Sequence, residues 1–378
     1  MLHSEQVALA ERLFEYIAEQ RTATCDDIYL QAIDEYVSTE TAARERQRLF
    51  RDRPLCVGLS GLLPAPGTYA VHDLSGLPLL LTRSDDGAFH AFLNVCRHRG
   101  ARVAEGCGRG RQFVCPYHAW TFGLDGRLVA RPQDQAFTQA PRSTHGLTAL
   151  PTVERDGLLW VAPRVDGDCD IEHHLAGLSG ELAGYGLAGF HHYRTCVLRR
   201  RMNWKLLVDT FLESYHFCVL HKNSICSIFY DNLTTFDHWG PHFRLVSARR
   251  TIEALRSAPA SDWNLLPHMV AIYVLFPNTV LVWQLDHIEL WQVFQGPTPD
   301  ESVVQLSLYT PEPATSESAQ RHWDKNLDLV VHVVEDEDFP VGEGIQNGFH
   351  AGAQSYITFG TNEPALSFYH HAITTALA

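Results

Sequence analysis

The spacing of apolar residues changes several times along the chain. Up to about Gln47, Ala, Leu, Glu and Arg recur at helical spacing with few Gly or Pro residues, which predicts a helical segment. From about residue 53 to Pro163, short apolar runs such as PLLLTR and GLLWVAPR are separated by Gly, Pro and Asp, as is typical of a small β domain. Residues 191–202 form another strand-like run, and residues 203–220 have helical spacing.

The second half of the chain contains further strand-like runs joined by short connections, at residues 243–252, 269–276, 279–285, 288–295 and 303–310. Short connections favour an antiparallel sheet. Residues 316–338 then predict a late helix. The sequence therefore predicts an α+β protein, with a β domain ahead of a helix-and-sheet domain.

Composition narrows the class of protein. The formal net charge of -14 argues against nucleic-acid binding, and no apolar run reaches the roughly 18 residues of a membrane span. The nine cysteines are scattered along the chain, and the N-terminal residues do not resemble an export signal. We therefore expect a soluble cytoplasmic protein whose thiols are reduced.

Four residues in the β domain have the spacing of metal ligands. Cys96 and His98 are one residue apart, and the pairing recurs at Cys115 and His118. A zinc site could use two thiolates and two imidazoles, but such sites usually group cysteines with cysteines and histidines with histidines. A Rieske [2Fe-2S] cluster needs two thiolates on one iron and two imidazoles on the other, so each loop must supply one of each. The pattern favours the cluster, with zinc as the alternative.

A second group of polar residues lies in the predicted helix at 203–220. Asp209, Glu213 and His216 are spaced four and three residues apart, and His221 follows five residues later. These residues could form only a solvated face. They could also supply two imidazoles that, with one carboxylate, hold Fe(II) and leave positions open for O2 and substrate.

Together these motifs resemble the large (alpha) subunits of Rieske non-haem iron oxygenases, from about residue 40 to the C-terminal region. The matching segments are CRHRG, CPYHAWTF and the stretch from Glu213 to His221. The resemblance implies an N-terminal helical segment at 1–46 packing on the catalytic domain and a Rieske domain at 47–164. It further implies a mononuclear iron domain at 165–378, with the helix-grip (START/Bet v1-like) fold and a curved antiparallel sheet.

The resemblance also implies roles for individual residues. His216 and His221 would bind the iron, with the third ligand in a late acidic segment, where we choose Asp336 over Glu335, Glu337 and Asp338. Glu213 would bridge to a cluster ligand of a neighbouring subunit in a homotrimer. A Glu at this position occurs in relatives that resemble carnitine and betaine oxygenases, and the chain is most similar to these. Asp209 would orient ligands or water near the iron, or would be only a helix acid.

The implied function is that of a terminal oxygenase. It would use O2 and electrons from NAD(P)H, delivered by a separate flavin/Fe-S reductase and possibly a ferredoxin, to hydroxylate or oxidatively demethylate a small organic substrate. An arene cis-dihydroxylating dioxygenase and a Rieske electron carrier without oxygenase activity are the alternatives. Four tryptophans of the sheet region predict either core packing or an aromatic cage for a cation: Trp239, Trp263, Trp283 and Trp291.

Overall fold

The computed structural model describes all residues from Met1 to Ala378. The helices are α1 (His3–Glu19), α2 (Asp34–Val37), α3 (Thr39–Arg48), α4 (Ile171–Leu175), α5 (Ser179–Ala183), α6 (Trp204–Asp209), α7 (Phe217–Leu220), α8 (Glu317–Val333), α9 (Phe339–His350) and α10 (Pro364–Leu377). A π-helical turn, Val334–Asp338, continues α8 into α9.

The strands before residue 165 are β1 (Tyr29–Ala32), β2 (Leu55–Leu59), β3 (Thr68–His72), β4 (Leu79–Arg83), β5 (Phe89–Leu93), β6 (Cys107–Arg109), β7 (Gln112–Val114), β8 (Thr121–Gly123), β9 (Leu128–Ala130), β10 (Ala149–Leu150), β11 (Thr152–Arg155) and β12 (Leu158–Val161). Those after it are β13 (His191–Arg200), β14 (Phe229–Trp239), β15 (His242–Arg249), β16 (Met269–Leu275), β17 (Thr279–Gln284), β18 (His287–Gln295), β19 (Ser302–Thr310) and β20 (Tyr356–Phe359).

The chain divides into two compact units. One consists of residues 1–49, 175–186 and 191–378, and the other of residues 50–174 and 187–190. The N-terminal helices thus belong to the same unit as the second half of the chain. The exact domain limits expected from the sequence stay a prediction.

The smaller unit consists of three antiparallel sheets. Their strand orders are β10-β5-β4-β3-β6, β11-β12-β2 and β7-β8-β9. The fully buried strands β4 and β12 contribute Leu79, Leu81 and Leu159 to one apolar cluster. A second cluster surrounds Cys96, Cys115 and Trp120, so the two cysteines lie at the edge of a packed core.

The larger unit is built on one antiparallel sheet of seven strands, in the order β13-β19-β18-β17-β16-β15-β14. Successive side chains of a strand point to opposite faces. On β15, Phe243 contacts Phe368 of α10, whereas the next residue, Arg244, binds Glu181 of α5. Both faces are therefore covered, which explains why β16 to β19 are apolar in nearly continuous runs rather than in alternation. The predicted strands of this region are confirmed, although β14 was not predicted.

The sequence predicts a helical segment up to Gln47, but the N-terminal segment is not helical throughout. Strand β1 interrupts it and pairs antiparallel with β20, with Tyr29 opposite Phe359. That partner lies more than three hundred residues away in the sequence, so local spacing does not reveal it. Helix α3 is anchored by the buried Glu45, which accepts hydrogen bonds from Lys205 and Trp204 of α6.

The predicted helix at 203–220 is also interrupted. Helix α6 ends at Asp209 and α7 begins only at Phe217. In the intervening turn, Glu213 accepts a hydrogen bond from the backbone N–H of His216, and the Ser214 hydroxyl bonds Thr234. Local side-chain hydrogen bonds of this kind compete with helix continuation. His216 and His221 consequently flank the short α7 rather than following one helix face. No helix of the protein combines the length and apolar character needed to cross a bilayer.

Candidate active site

Two loops of the smaller unit share one backbone hydrogen-bond pattern around a cysteine. The Cys96 N–H donates to the carbonyl of Ala101, and the Cys96 carbonyl accepts from Gly100. Cys115 makes the same bonds with the residues at the same spacing, Trp120 and Ala119. Gly100 and Ala119 both have a positive φ, of 83° and 57°. Each loop thereby turns its cysteine inward and its histidine outward.

The four predicted cluster ligands converge in the structure. Cys96 and Cys115 are buried, and their side chains are within hydrogen-bonding reach of each other. The Nδ1 atoms of His98 and His118 are 3.2 Å apart. The ring of Trp120 stacks on His98 at a centroid distance of 4.9 Å and fixes its orientation.

The pKa shifts in these two loops agree with a metal site formed by the same two cysteines and two histidines. Burial, together with the neighbouring imidazole of His118, lowers the pKa of His98, which favours the neutral ring that a metal requires. Burial raises the pKa of the Cys96 thiol, and the proximity of Cys115 adds to this effect. Two thiolates sharing one site repel each other unless a cation lies between them. Two sulfurs and two neutral nitrogens are the ligands of a Rieske cluster.

The larger unit brings two histidines and one acid together. The Nε2 atoms of His216 and His221 are 3.1 Å apart, and Asp338 Oδ1 lies 3.2 Å from His221 Nε2 and 3.6 Å from His216 Nε2. Donors on adjacent octahedral positions, about 2.1 Å from a metal, are themselves about 3.0 Å apart. These three atoms therefore fit one face of an octahedral ion, the arrangement of two histidines and one carboxylate that binds Fe(II).

An acidic side chain contacts the Nδ1 atom of each of the two histidine rings. Glu213 pairs with His216 Nδ1, and Glu337 Oε2 lies 2.6 Å from His221 Nδ1. A hydrogen bond to Nδ1 fixes the tautomer with its lone pair on Nε2, which is the atom directed at Asp338. Burial disfavours the charged form of His221, but hydrogen bonds and charges from Asp338 and Glu337 outweigh burial and raise its pKa. The site therefore favours positive charge.

The choice of Asp336 as the third iron ligand is contradicted by this geometry. Asp336 pairs with His332 one turn earlier, and 63% of its side chain is exposed, against 10% for Asp338. Asp338 follows Val330 and Val334 at steps of four, and both valines line the cavity beside the histidines. That spacing was a usable signal in the sequence. The π-helical turn at 334–338 places Asp338 on the inner face, as such turns often do at functional sites.

Asp209 lies at the end of α6 and does not bond either iron-site histidine. Its carboxylate accepts hydrogen bonds from Tyr36 Oη at 2.8 Å and from His370 Nε2 at 2.9 Å. It therefore links α2, α6 and α10 in a buried network that sequence spacing did not reveal. A role in orienting ligands or water stays a prediction.

The expectation that all thiols are reduced is also contradicted. Cys218 and Cys226 form a disulfide that closes a loop after α7. The chain turns back there, since the Cys226 N–H donates to the carbonyl of His221, and the two Cα atoms are 4.9 Å apart. This distance suits a disulfide. The remaining seven cysteines are free.

A cavity of about 310 Å³ opens beside the histidines and Asp338. Its wall is mainly apolar, with Phe211, Phe217 and Phe229 on one side and residues of β16, β17 and α8 on the other. Cavities of this kind typically bind small molecules. Leu285 and Leu329 are exposed members of the lining and mark its opening.

The predicted tryptophan cage is not part of this cavity. Trp283 and Trp291 are buried and pack on Tyr185 and Phe211, respectively. Trp263 packs on Phe14, and the Arg244 guanidinium carbon lies 5.3 Å from the ring centroid of Trp239. The core interpretation of these aromatic residues was the better one.

Family models match both halves of the chain. The model of the Rieske [2Fe-2S] domain matches residues 53–151. The model of the ring hydroxylating alpha subunit (catalytic domain) matches residues 187–378, just over half of the chain.

Individual proteins show the same similarity. The glycine betaine monooxygenase oxygenase subunit of Chromohalobacter salexigens is 31% identical over 241 residues, covering 62% of this chain and 54% of that protein. The chain spans about half the length of the relatives it matches.

Two solved structures share the fold. A quaternary ammonium Rieske monooxygenase superposes with a TM-score of 0.81 at 19% identity, covering 93% of this chain and 96% of the other. Naphthalene 1,2-dioxygenase from Rhodococcus sp. superposes with a TM-score of 0.75 at 16% identity, covering 99% and 97%. With a Rieske domain ahead of a matching catalytic domain, the chain belongs to the alpha subunit family of the Rieske ring-hydroxylating oxygenases.

Proposed function

We propose that the protein is the terminal oxygenase component of a Rieske-type system that hydroxylates or oxidatively demethylates a small organic substrate with O2. The observation that supports this most is the convergence of His216, His221 and Asp338 beside an apolar cavity. When bound, a [2Fe-2S] cluster would supply single electrons, and an Fe(II) ion held by these three residues would supply a site for O2.

In this proposal each protein group has a defined task. Cys96, His98, Cys115 and His118 hold the cluster, and His216, His221 and Asp338 hold the iron. Glu337 and Glu213 keep the two iron-site imidazoles in the tautomer that leaves Nε2 free. The apolar wall excludes water, so that a bound substrate rather than solvent faces the open coordination positions.

Partners follow from the same assignment. Electrons from NAD(P)H would reach the cluster through a separate flavin/Fe-S reductase, with or without a ferredoxin. We propose that the chain assembles as a homotrimer, in which Glu213 lies on the electron path between subunits. The similar quaternary ammonium Rieske monooxygenase is described in terms of inter-subunit electron transfer, which supports this arrangement.

The iron assignment is tested with two neighbouring acids. For Asp338→Ala we expect the cluster absorption to remain while iron falls from three to two atoms per chain and substrate-dependent O2 uptake disappears. Asp336→Ala is the matched control, because its carboxylate is exposed and pairs with His332. It should retain both iron and turnover. The reverse result, with Asp336→Ala inactive and Asp338→Ala active, contradicts the assignment.

A dioxygenase acting on arenes is the second candidate, since phenylalanine rings line the cavity. Product analysis with isotopically labelled O2 separates the two reactions. A hydroxylated product contains one labelled oxygen atom and a cis-diol contains two, whereas demethylation releases the labelled atom in formaldehyde and leaves none in the demethylated product.

A further inference from the structure

Polar side chains from three strands of the sheet form a group at one end of the cavity. Arg249 ends β15, Gln284 ends β17, and His287 and Glu289 lie at the start of β18. All four line the cavity. His287 also contacts Trp323 of α8, at a ring distance of 5.3 Å. Because Asp338 lies in the π-helical turn that follows α8, fifteen residues after Trp323, this polar group is separated from the iron-site residues.

Helix length gives the scale of that separation. Asn326, another lining residue, lies one turn after Trp323 and twelve residues before Asp338. At 1.5 Å per residue this is about 18 Å along the helix axis. Phe229 and Phe217 lie between the two ends, with their ring centroids 5.8 Å apart. The cavity thus has polar groups at both ends and an apolar middle.

Arg249 is the charged residue of this group, and it has no carboxylate partner within 4.0 Å. Its Nη2 donates to Gln284 Oε1 at 2.5 Å and its Nε to the carbonyl of Met269 at 3.4 Å. Its guanidinium carbon lies 4.9 Å from the ring centroid of Phe229. The other deeply placed arginine of this strand, Arg244, binds three carboxylates. Arg249 therefore differs from Arg244 in facing a cavity with no carboxylate bonded to its guanidinium.

The neighbouring titratable groups balance this charge only in part, since Glu289 attracts Arg249 without bonding to it. Burial raises the pKa of Glu289 to about 7, and one of its oxygens is already held by Trp291 Nε1 at 3.1 Å. Burial lowers the pKa of His287, so its ring is neutral. A half-buried cation with no carboxylate bonded to it is stabilised when a ligand supplies the negative charge at hydrogen-bonding distance.

We propose that Arg249 binds the carboxylate of the substrate and thereby selects small organic anions with an apolar body. The inference rests on the oxygenase function proposed above. Gln284 holds the guanidinium toward the cavity through its amide oxygen. The apolar body then lies along Phe229 and Phe217, and its far end reaches the iron-site histidines. Arg249 is thus the residue that determines which compounds are placed for hydroxylation.

Isothermal titration of the anaerobic holoenzyme tests this directly. The probes are phenylbutanoate, its uncharged amide and phenylpropyl-trimethylammonium. We expect the carboxylate to bind at least about tenfold more tightly than the amide, as a charge-assisted hydrogen bond allows. Arg249→Met should weaken phenylbutanoate binding about ten- to a hundredfold and leave the amide unchanged, whereas Arg249→Lys should keep part of the preference.

Arg250→Met is the matched control, because the adjacent Arg250 is exposed and lies over Tyr230 instead of in the cavity. It should bind all probes as the unmodified protein does. Equal binding of carboxylate and amide, or no binding of the carboxylate up to its solubility limit, overturns the proposal. So does tightest binding of the trimethylammonium probe with loss in Glu289→Gln, which would make the polar end a cation site.

Oxygen uptake with a surrogate reductase separates this inference from the proposed function. Turnover of a neutral or cationic compound that is unaffected by Arg249→Met would leave the oxygenase function intact and refute the role of Arg249. Carboxylate binding that depends on Arg249, without any substrate-dependent O2 uptake, would support the binding site and refute the oxygenase function.

Discussion

The glutamate side chains around the cavity differ in the groups that surround their carboxylates. The carboxylates of Glu213 and Glu337 are matched to imidazole nitrogens, and both help to orient candidate iron ligands. Glu289 accepts a hydrogen bond from Trp291, its distance to the nearest imidazole nitrogen, His287 Nε2, is 3.9 Å, and burial is the main influence on its pKa. At one end of the cavity, against the effect of burial, the hydrogen bond from His221 lowers the pKa of Glu337, whereas at the other end burial raises the pKa of Glu289 to about 7.

The raised pKa of Glu289 makes stability depend on pH. Its folded pKa, about 7, lies above the usual value of 4.5, so folding favours the protonated form. The corresponding stabilisation is present below about pH 4.5 and is lost as pH rises through about 7. Relative to Glu289→Gln, the free energy of unfolding of the unmodified protein should therefore fall between these pH values, by at most roughly 1.4 kcal/mol per unit.

Denaturant titrations of both proteins across this pH range measure the effect. Glu301→Gln serves as the control, because Glu301 lies at the surface in the turn before β19. Parallel pH profiles for the unmodified protein and Glu289→Gln would show that burial does not control the ionisation of Glu289.

At the scale of elements, the short segment from α7 to the start of β14 determines the iron site. Its two histidines flank α7, and the loop that follows is closed by the disulfide between Cys218 and Cys226. Within that loop the Ser224 hydroxyl donates to Glu337 at 2.7 Å, and Glu337 in turn holds His221. The loop therefore connects a covalent crosslink to the orientation of a candidate ligand.

This crosslink predicts a specific thiol count. After the chain is unfolded and the cluster removed, alkylation without reductant should label seven cysteines, and alkylation after reduction should label all nine. Peptide mass mapping should place the two additional labels at Cys218 and Cys226. Nine labelled cysteines without reductant would mean that the crosslink does not form.

The elements also show which parts of the site could be predicted from the sequence. Cys96, His98, Cys115 and His118 belong to two short loops, so their local spacing was enough to propose them as one ligand set, and their side chains do lie together. The third carboxylate was placed at Asp336, although Asp338 continues the steps of four from the cavity residues Val330 and Val334 and is the acid beside the histidines. Arg249 had no local signal, since its environment is created by the register of neighbouring strands. Sequence reasoning succeeded for local spacing and failed for tertiary placement.

In the proposed function electrons would pass from one kind of iron site to another, and the residues that would hold the two sites lie in different compact units. In a trimeric assembly the donor and the acceptor can belong to different chains. A chain that lacks its own cluster could then still react, provided that a neighbour supplies electrons. This consequence does not depend on the identity of the substrate.

Co-expression of two inactive variants tests the assembly. Cys115→Ser should lose the cluster and Asp338→Ala the mononuclear iron, so that each homo-oligomer is inactive. If electrons cross between chains, mixed oligomers contain pairs in which one subunit supplies the cluster and its neighbour the iron. We therefore expect co-expression to restore a substantial fraction of the substrate-dependent O2 uptake, up to about a quarter in randomly mixed rings, because only half of the chains contain each functional site.

Co-expression of Cys115→Ser with Cys96→Ser is the control and should restore none, since both variants lack the cluster. If the first pair also stays inactive while affinity tags show that the two variants co-assemble, the electron path lies within a single chain and Glu213 is not part of an inter-subunit route.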